Sequence, residues 1–285
     1  MFSRNVSSSK VFPAEIDGAA FGILARILRQ ESGIVLAESK KSLVVSRLSR
    51  RLRELNLADF SEYCDLLGSA EGATERREMV TLLTTNVTNF FREAHHFESL
   101  QSKVLPGLVG KLRAGKKVRF WSAGCSSGQE PYSIAIACLE FLPDIYKYDF
   151  KILATDIDMK VIDKGKRGIY SDLEIGQVSP ERLNKFFCQD KRDSSVFSVA
   201  DSLRAIVAFD ELNLIREWPK SSPYDVIFCR NVVIYFDLDT QASLWSRFSS
   251  SLASGGHLFV GHSERVSGVA SSLLKLTGTT QYVKS

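Results

Sequence analysis

The stretch that most constrains this chain is Val118 to Ala137, VRFWSAGCSSGQEPYSIAIA. A short apolar run, Val118 to Trp121, breaks into the small residues Ser122, Ala123, Gly124, Cys125, Ser126, Ser127 and Gly128. A helix-like pattern carrying Ile134, Ala135, Ala137 and Leu139 then resumes. Strand, tight small-residue turn and helix in succession is the local plan of a nucleotide-type cofactor site in an open α/β sheet. Gly124 and Gly128 admit backbone angles closed to other residues and let a ligand approach the main chain. The same succession also serves as a plain strand-to-helix joint that binds nothing.

The turn is not a dinucleotide fingerprint, because the two glycines stand four apart with Gln129-Glu130 following, and no G-K-[ST] grips a phosphate. Its nearest charge, Glu130, is negative and stands where a carboxylate accepts hydroxyl hydrogen bonds. That favours a ligand with hydroxyls and a positive charge over a pyrophosphate. S-adenosylmethionine, with its ribose and sulfonium, is such a ligand.

The rest of the chain fits a soluble globular protein. It has 285 residues, 44% hydrophobic and 25% charged, enough for one large or two smaller domains. A formal charge of +4 does not mark a nucleic-acid binder. Five scattered cysteines without a C-x-x-C pair argue for a reducing compartment and against a disulfide framework or zinc cluster. No signal-peptide core and no run of about 18 apolar residues is present, so a cytoplasmic location is expected.

Residues 1–16 are Ser-rich and expected to be poorly ordered. From Asp17, Phe21, Leu24, Ile27 and Leu28 recur at helical steps, and Gly33 closes the segment. A second helix is predicted from Glu38 to Leu55, with Val44, Leu48, Leu52 and Leu55 on one face. Arg47, Arg50, Arg51 and Arg53 climb beside that face. Between Glu38 and Arg53 stand six Lys or Arg and one acidic residue. Such a run is either a solvated face or a docking strip. The absence of interleaved aromatics favours an acidic protein partner over nucleic acid. A third helix is expected from Asp59 to Leu67, with Asp59 and Glu62 in capping-box spacing, and a fourth from Thr74 to Leu83. The first ~85 residues thus read as an all-α domain.

Thr84 to Phe97, TTNVTNFFREAHHF, crowds Asn86, Thr88 and Asn89 in front of Phe90, Phe91 and Arg92. These are poor helix-interior residues. They form either a capped helix start or a loop facing a ligand. Adjacent His95 and His96 point apart on a helix and lack a carboxylate at i+4, so no metal is expected there. A helix over Arg92–Leu112 then leads into the first strand.

Further strands are predicted at Phe150–Thr155, about Ile206–Phe209, Tyr224–Cys229, His257–Val260 and Thr279–Val283. Their carboxyl ends carry Asp156 and Asp158, Asn213 and Leu214, Arg230 and Asn231, and His262-Ser263-Glu264. In open α/β sheets an acidic residue at such a position commonly holds a ribose, and Asp156 stands about thirty residues beyond the glycine turn. It serves equally as a cap for the helix that follows. Gly168 to about Phe209 breaks the alternation and is expected to form an inserted antiparallel sub-domain. The helix after Asp237 is expected to stop at Gly255-Gly256. Repeated βα units with these endings give a doubly wound α/β sheet.

Taken together, TTNVTNFFRE, WSAGCSSGQEPYSIA, ATDID, FCRNVVIYF and GGHLFVGHSE resemble the CheR family of chemotaxis methyltransferases, in family order, from about Phe21 to Val283. The resemblance implies a Rossmann-like S-adenosylmethionine-dependent methyltransferase sheet, an all-α N-terminal domain and a small antiparallel β-subdomain insertion. It places domains at 17–90 and 91–285, with the insertion at about 186–209. It implies transfer of a methyl group from S-adenosylmethionine to glutamate carboxylates of chemoreceptors, leaving S-adenosyl-L-homocysteine. Asn86, Thr88, Arg92, Gly124, Glu130, Asp156, Asn213, Leu214, Arg230 and Asn231 would then surround the cofactor. Tyr235 would lie near the transferred methyl, and Arg92 would orient the incoming carboxylate. Arg47, Arg50, Arg51 and Arg53 would dock the helical cytoplasmic region of the receptor. Members that tether a receptor C-terminal pentapeptide carry a glycine-rich loop in the insertion. Here Cys188–Ser195 contains no glycine, and tethering is not expected.

A glutamate side chain, with a reference pKa of ~4.3, is already an anionic nucleophile at neutral pH. The reaction needs no general base, and none is evident. It rests on in-line positioning and on stripping water from both reactants. Neither metal, nucleic acid nor membrane insertion is expected, and a monomer suffices. Competing readings are a methyltransferase of RNA or a small molecule, a non-catalytic cofactor-binding receptor adaptor, and, least supported for want of G-x-G-x-x-G, a nicotinamide dehydrogenase.

Overall fold

The computed structural model describes residues 15–285, so the polar N-terminal stretch lies largely outside the described residues. The chain divides into two compact units, one ending at Thr84 and one running from Thr85 to Ser285. The first unit thus ends six residues before the limit of 90 set by the sequence motifs.

Among its described residues the first unit has four α-helices: α1 (Gly18–Ser32), α2 (Lys41–Glu54), α3 (Phe60–Gly68) and α4 (Ala73–Leu83). Asp17 caps α1 by accepting the Ala20 N–H at 2.7 Å. Gly33 ends it at φ +79°, a left-handed geometry open to glycine. Phe21, Leu24 and Leu28 of α1 are buried, as are Val44, Leu48 and Leu52 of α2, the helical stripe read from the sequence. Asp59 caps α3 through the Ser61 and Glu62 N–H groups. Glu62 reaches back to the N–H of Ala58 rather than of Asp59, so the anticipated capping box closes one residue early.

The second unit is built on ten strands: β1 (Val118–Ala123), β2 (Phe150–Asp156), β3 (Ile169–Ser171), β4 (Phe187–Gln189), β5 (Val196–Val199), β6 (Val207–Glu211), β7 (Tyr224–Cys229), β8 (Leu252–Val260), β9 (Leu274–Gly278) and β10 (Gln281–Lys284). Seven form one sheet in the order β6-β2-β1-β7-β8-β10-β9. Strands β6, β2, β1, β7 and β8 are parallel, whereas β10 runs antiparallel to β8 and β9. Strand order reverses between β1 and β7, and such a switch point opens a crevice outside the carboxyl ends of the strands. Phe120, Ile152 and Phe228 face one apolar core, and Trp121, Ile227 and Leu258 face the other. Burial on both faces explains why the parallel strands read as continuous apolar runs.

The insertion is the three-stranded antiparallel sheet β3-β5-β4. It begins at Ile169, earlier than 186, and β6 belongs to the main sheet. Helix formation after the TTNVTNFFRE motif starts at His95, not Arg92, because Phe91 and Glu93 adopt φ of +54° and +57°. A π-turn at Leu100–Val104 precedes Pro106, whose missing N–H and ring disrupt the regular α-ladder. The helix after Asp237 ends at Ser251. Gly255-Gly256 instead lie inside β8, where pairing jumps from Tyr224↔Leu252 to Val226↔His257 and the intervening residues bulge. Edge strand β9 went unanticipated because its exposed Lys275, Leu276 and Thr277 give no alternating apolar signal.

Candidate active site at the carboxyl ends of the parallel strands

The glycine turn follows β1. Gly124 and Gly128 adopt φ of +81° and +95°, as a turn of this tightness requires. Neighbouring protein atoms fill the space beside both. A Cβ on Gly124 would stand 2.3 Å from Val232 Cγ2, and one on Gly128 would stand 2.8 Å from Tyr170 Oη. These glycines therefore let the β7 loop and the insertion close onto the turn.

Behind the turn, Glu130 is buried in the first turn of helix Gln129–Phe141. Its carboxylate accepts from Ser122 Oγ at 2.7 Å and Arg230 Nη1 at 3.2 Å. Burial pushes its carboxyl up, while Arg230 and Ser122 oppose the shift. Arg230, itself buried, also donates to the Arg92 carbonyl and lies 3.5 Å from Glu93 Oε2. One guanidinium thus joins β7 to the 86–93 loop and to the helix after β1. Among the described residues its Nε has no hydrogen-bond partner.

Asp156, at the end of β2, is buried and accepts the N–H groups of Ser126 (2.8 Å) and Asp158 (3.1 Å). Two lone-pair sites remain for hydroxyl donors. Burial lifts its carboxyl to about 6. The helix cap belongs to Asp158, which accepts the Lys160 N–H and, on its other oxygen, the Asn86 amide at 2.8 Å. Ser126 Oγ donates to the Asn86 carbonyl, so the loop of the TTN motif is stitched directly to the ends of β1 and β2. Residues 85–89 carry no helix, which decides between the two readings of that motif in favour of a loop.

Asn213 and Leu214 follow β6. Asn213 accepts the Ile215 N–H at 3.1 Å, and the Leu214 carbonyl accepts from Trp218 and Arg247. Asn231 lies at φ +60° after β7, and Tyr235 ends the following 3₁₀ turn, half-buried. Thr88 and Arg92 are half-buried in the 86–93 loop, where Arg92 Nη1 lies 3.3 Å from the Val87 carbonyl. Phe91, Glu93, Ser126 and Asn231 all hold positive φ. A bulky aromatic with that φ is an outlier, and such strain concentrates at functional sites. Phe91 is held by its N–H donating to Ser133 Oγ at 2.9 Å and by Arg182 stacked 3.9 Å over its ring.

Glu93 is the group the sequence reading missed. Its carboxylate faces Arg230, lies 3.1 Å from His262 Nδ1 and lies 3.5 Å from His96 Nδ1. Glu93, His95 and His96 bring ligand atoms within 4.8 Å of one another, because the left-handed turn at Glu93 supplies the carboxylate that helical spacing denied. The Arg230 guanidinium already counters that carboxylate, and a divalent cation there would meet a fixed positive charge. Burial pushes His96 down to about 3, and its Nε2 sits 2.8 Å from Thr280 Oγ1. Hydrogen bonds tie Glu93 Oε1 to His262 and His96 Nε2 to Thr280, while Glu93 Oε2 and His96 Nδ1 face each other at 3.5 Å without one.

Of the arginines assigned to docking, two are occupied inside the helical unit. Arg47 Nη1 donates to the Leu83 and Thr84 carbonyls at 2.9 and 2.6 Å, closing the end of α4. Arg51 forms a forked pair with the buried Glu75 at 3.0 and 2.6 Å, and Tyr63 Oη donates to the same carboxylate at 2.8 Å. Arg50 and Arg53 are exposed; Arg50 pairs with Glu54 along the helix, and Arg53 Nε donates to the Ser49 carbonyl.

The all-α domain of the CheR methyltransferases matches residues 19–84, and their SAM-binding domain matches residues 86–283. The chain belongs to the CheR methyltransferase family. It is similar to a probable chemotaxis protein methyltransferase of Rhizobium etli, at 49% identity over 90% of this chain and 96% of the relative. It is likewise similar to the chemotaxis protein methyltransferases of Escherichia coli (39% identity, 95% and 92% covered) and Borreliella burgdorferi (39%, 86% and 87%). The chain is an S-adenosylmethionine-dependent methyltransferase. Its site suits that cofactor: Asp156 and Glu130 are carboxylates with spare acceptor capacity for hydroxyl donors. No helix among the described residues is long and apolar enough to cross a membrane.

Proposed function

We propose that the protein transfers the methyl group of S-adenosylmethionine to glutamate side chains on the helical cytoplasmic region of chemoreceptors, forming methyl esters in sensory adaptation. The observation that carries this reading is the match of both family domains, all-α and SAM-binding, across nearly the whole chain. The cofactor supplies an electrophilic methyl on its sulfonium; the rest is binding and orientation by this chain. Asp156 takes ribose hydroxyls, and Asn86, Thr88, Gly124, Glu130, Asn213, Leu214, Arg230 and Asn231 line the remainder. Arg92 would orient the incoming carboxylate, and Tyr235 would contact the region of the methyl and sulfonium when the cofactor is bound. No group acts as general base, since the nucleophile is already ionised at neutral pH.

The receptor docks on the exposed arginines of α2, Arg50 and Arg53, with Arg47 and Arg51 shaping the helical unit beneath them. The protein acts as a cytoplasmic monomer, binds no nucleic acid and uses no pentapeptide tether, since the hairpin between β4 and β5 has no glycine. The test is calorimetric titration with S-adenosylhomocysteine beside labelled-methyl transfer to receptor-rich membranes. Base-labile label in the receptor, lost in Arg92→Ala and reduced in Arg50→Ala/Arg53→Ala, is the expected result. Binding without transfer would point to a different substrate or to the adaptor reading, and a fully active Arg92→Ala would remove Arg92 from the mechanism.

A further inference from the structure

Glu264 lies outside every role assigned above, yet it is 2% exposed, and among the described residues no cation pairs with it. Its Oε1 accepts the N–H groups of Val232 and Val233, each at 2.9 Å. Its Oε2 accepts those of Asn231 at 2.9 Å and Gly261 at 2.5 Å. Successive N–H groups converging on one point form a nest that binds an anion. Here the nest after β7 is filled by a carboxylate from the turn after β8. Asn231 contributes through its left-handed φ of +60°, which turns its N–H toward the same point as those of the next two residues. Gly261 completes the fit: a Cβ there would lie 2.7 Å from Asn231 Nδ2 and 2.8 Å from Glu264 Oε2.

The loop so gathered is functional on the reading given above. It begins at Arg230, includes Asn231, leads into the 3₁₀ turn that ends at Tyr235, and presses Val232 onto Gly124. We propose that Glu264 is the positioning residue of this methyl-transfer loop: its carboxylate ties four main-chain N–H groups from two strand ends and thereby fixes the segment that carries Asn231 and Tyr235 and packs Val232 against Gly124. It touches neither substrate nor cofactor and acts through the backbone it holds. A carboxylate is required because an amide of equal size presents an NH₂ to half of the donors. Burial raises the Glu264 carboxyl, and the four N–H groups oppose that shift.

The inference rests on the methyltransferase reading, and its test separates the two. Glu264→Gln in the full-length protein is compared with wild type by hydrogen exchange, S-adenosylhomocysteine calorimetry and receptor methylation. The expected result is a rise in exchange of at least about tenfold confined to residues 231–235 and 261, as one net hydrogen bond of ~1.4 kcal/mol implies. With it, kcat falls at least tenfold while the receptor KM stays within twofold. Wild-type kcat with unchanged exchange would overturn the proposal. So would exchange that rises evenly across the main sheet, since that marks a generic loss of stability. Should Glu264→Gln fail to fold, Gly261→Ala disturbs the same clamp from its other side and is expected to give the same local pattern. If the wild-type protein methylates nothing, the functional reading fails, whereas the exchange pattern still tests the clamp.

Discussion

Arg51→Ala separates the scaffold of the helical unit from its docking surface. Arg51 meets Glu75 through Nε at 3.0 Å and Nη2 at 2.6 Å, with side chains 26% and 8% exposed. Removing the guanidinium leaves the Glu75 carboxylate buried with only the Tyr63 hydroxyl, 2.8 Å away, for company. Breaking a fully buried pair costs ~3–5 kcal/mol. Because a quarter of Arg51 is in water, the loss is expected at about 2–3 kcal/mol after discounting for solvent screening. A cycle with Glu75→Gln should show a coupling of about 1–2 kcal/mol, the range for residues in one network. Urea unfolding of the whole chain gives both numbers, and receptor methylation measured well below the transition gives the functional side. Arg50→Ala and Arg53→Ala, at exposed positions on the same helix, should leave the unfolding midpoint unchanged while lowering methylation. Equal midpoints for Arg51→Ala and wild type would refute the assignment of Arg51 to the scaffold.

Gly124→Ala should cost roughly 2–4 kcal/mol, about 1–2 from a left-handed alanine and the rest from overpacking, since its Cβ would stand 2.3 Å from Val232 Cγ2. Gly255→Ala, at φ +72° with open space around it, isolates the backbone part at about 1–2 kcal/mol and should leave cofactor affinity unchanged. For Asp156 the folded carboxyl stands at about 6 against an ordinary 3.8, so the fold favours its neutral form. Its contribution to folding stability is therefore full below about pH 4 and falls as pH rises through about 6. Cofactor binding has the opposite sign, because ribose hydroxyls donate to the ionised form. S-adenosylhomocysteine affinity should drop below about pH 6, with net proton release on binding near that pH. Calorimetry in buffers of differing ionisation enthalpy measures both, and pH-independent affinity from 5 to 7.5 would exclude Asp156 as a ribose ligand.

Local pattern by itself determined much of this protein. The apolar stripes of α1 and α2 and the caps at Asp17 and Asp59 are written within a few residues of one another. So are the buried parallel strands around Phe120, Ile152 and Ile227. The strand-end positions Asp156, Arg230 and Asn231 were legible because a parallel sheet always delivers its carboxyl ends to one edge. The motifs Thr84–Phe97 and Val118–Ala137 named the stretches that meet there.

Tertiary structure decided which partner each of those groups received. Arg51 and Arg53 are near-identical in sequence context, and only the approach of α4 makes the first a half-buried scaffold and leaves the second exposed. Glu93 joined the Arg230 network through one left-handed backbone angle that helical periodicity could not foresee. Glu264 stands 31 to 33 residues from three of the four N–H groups it holds. Hydrogen bonds of that kind are set by where two strand ends come to rest, and no local sequence signal records the distance between them.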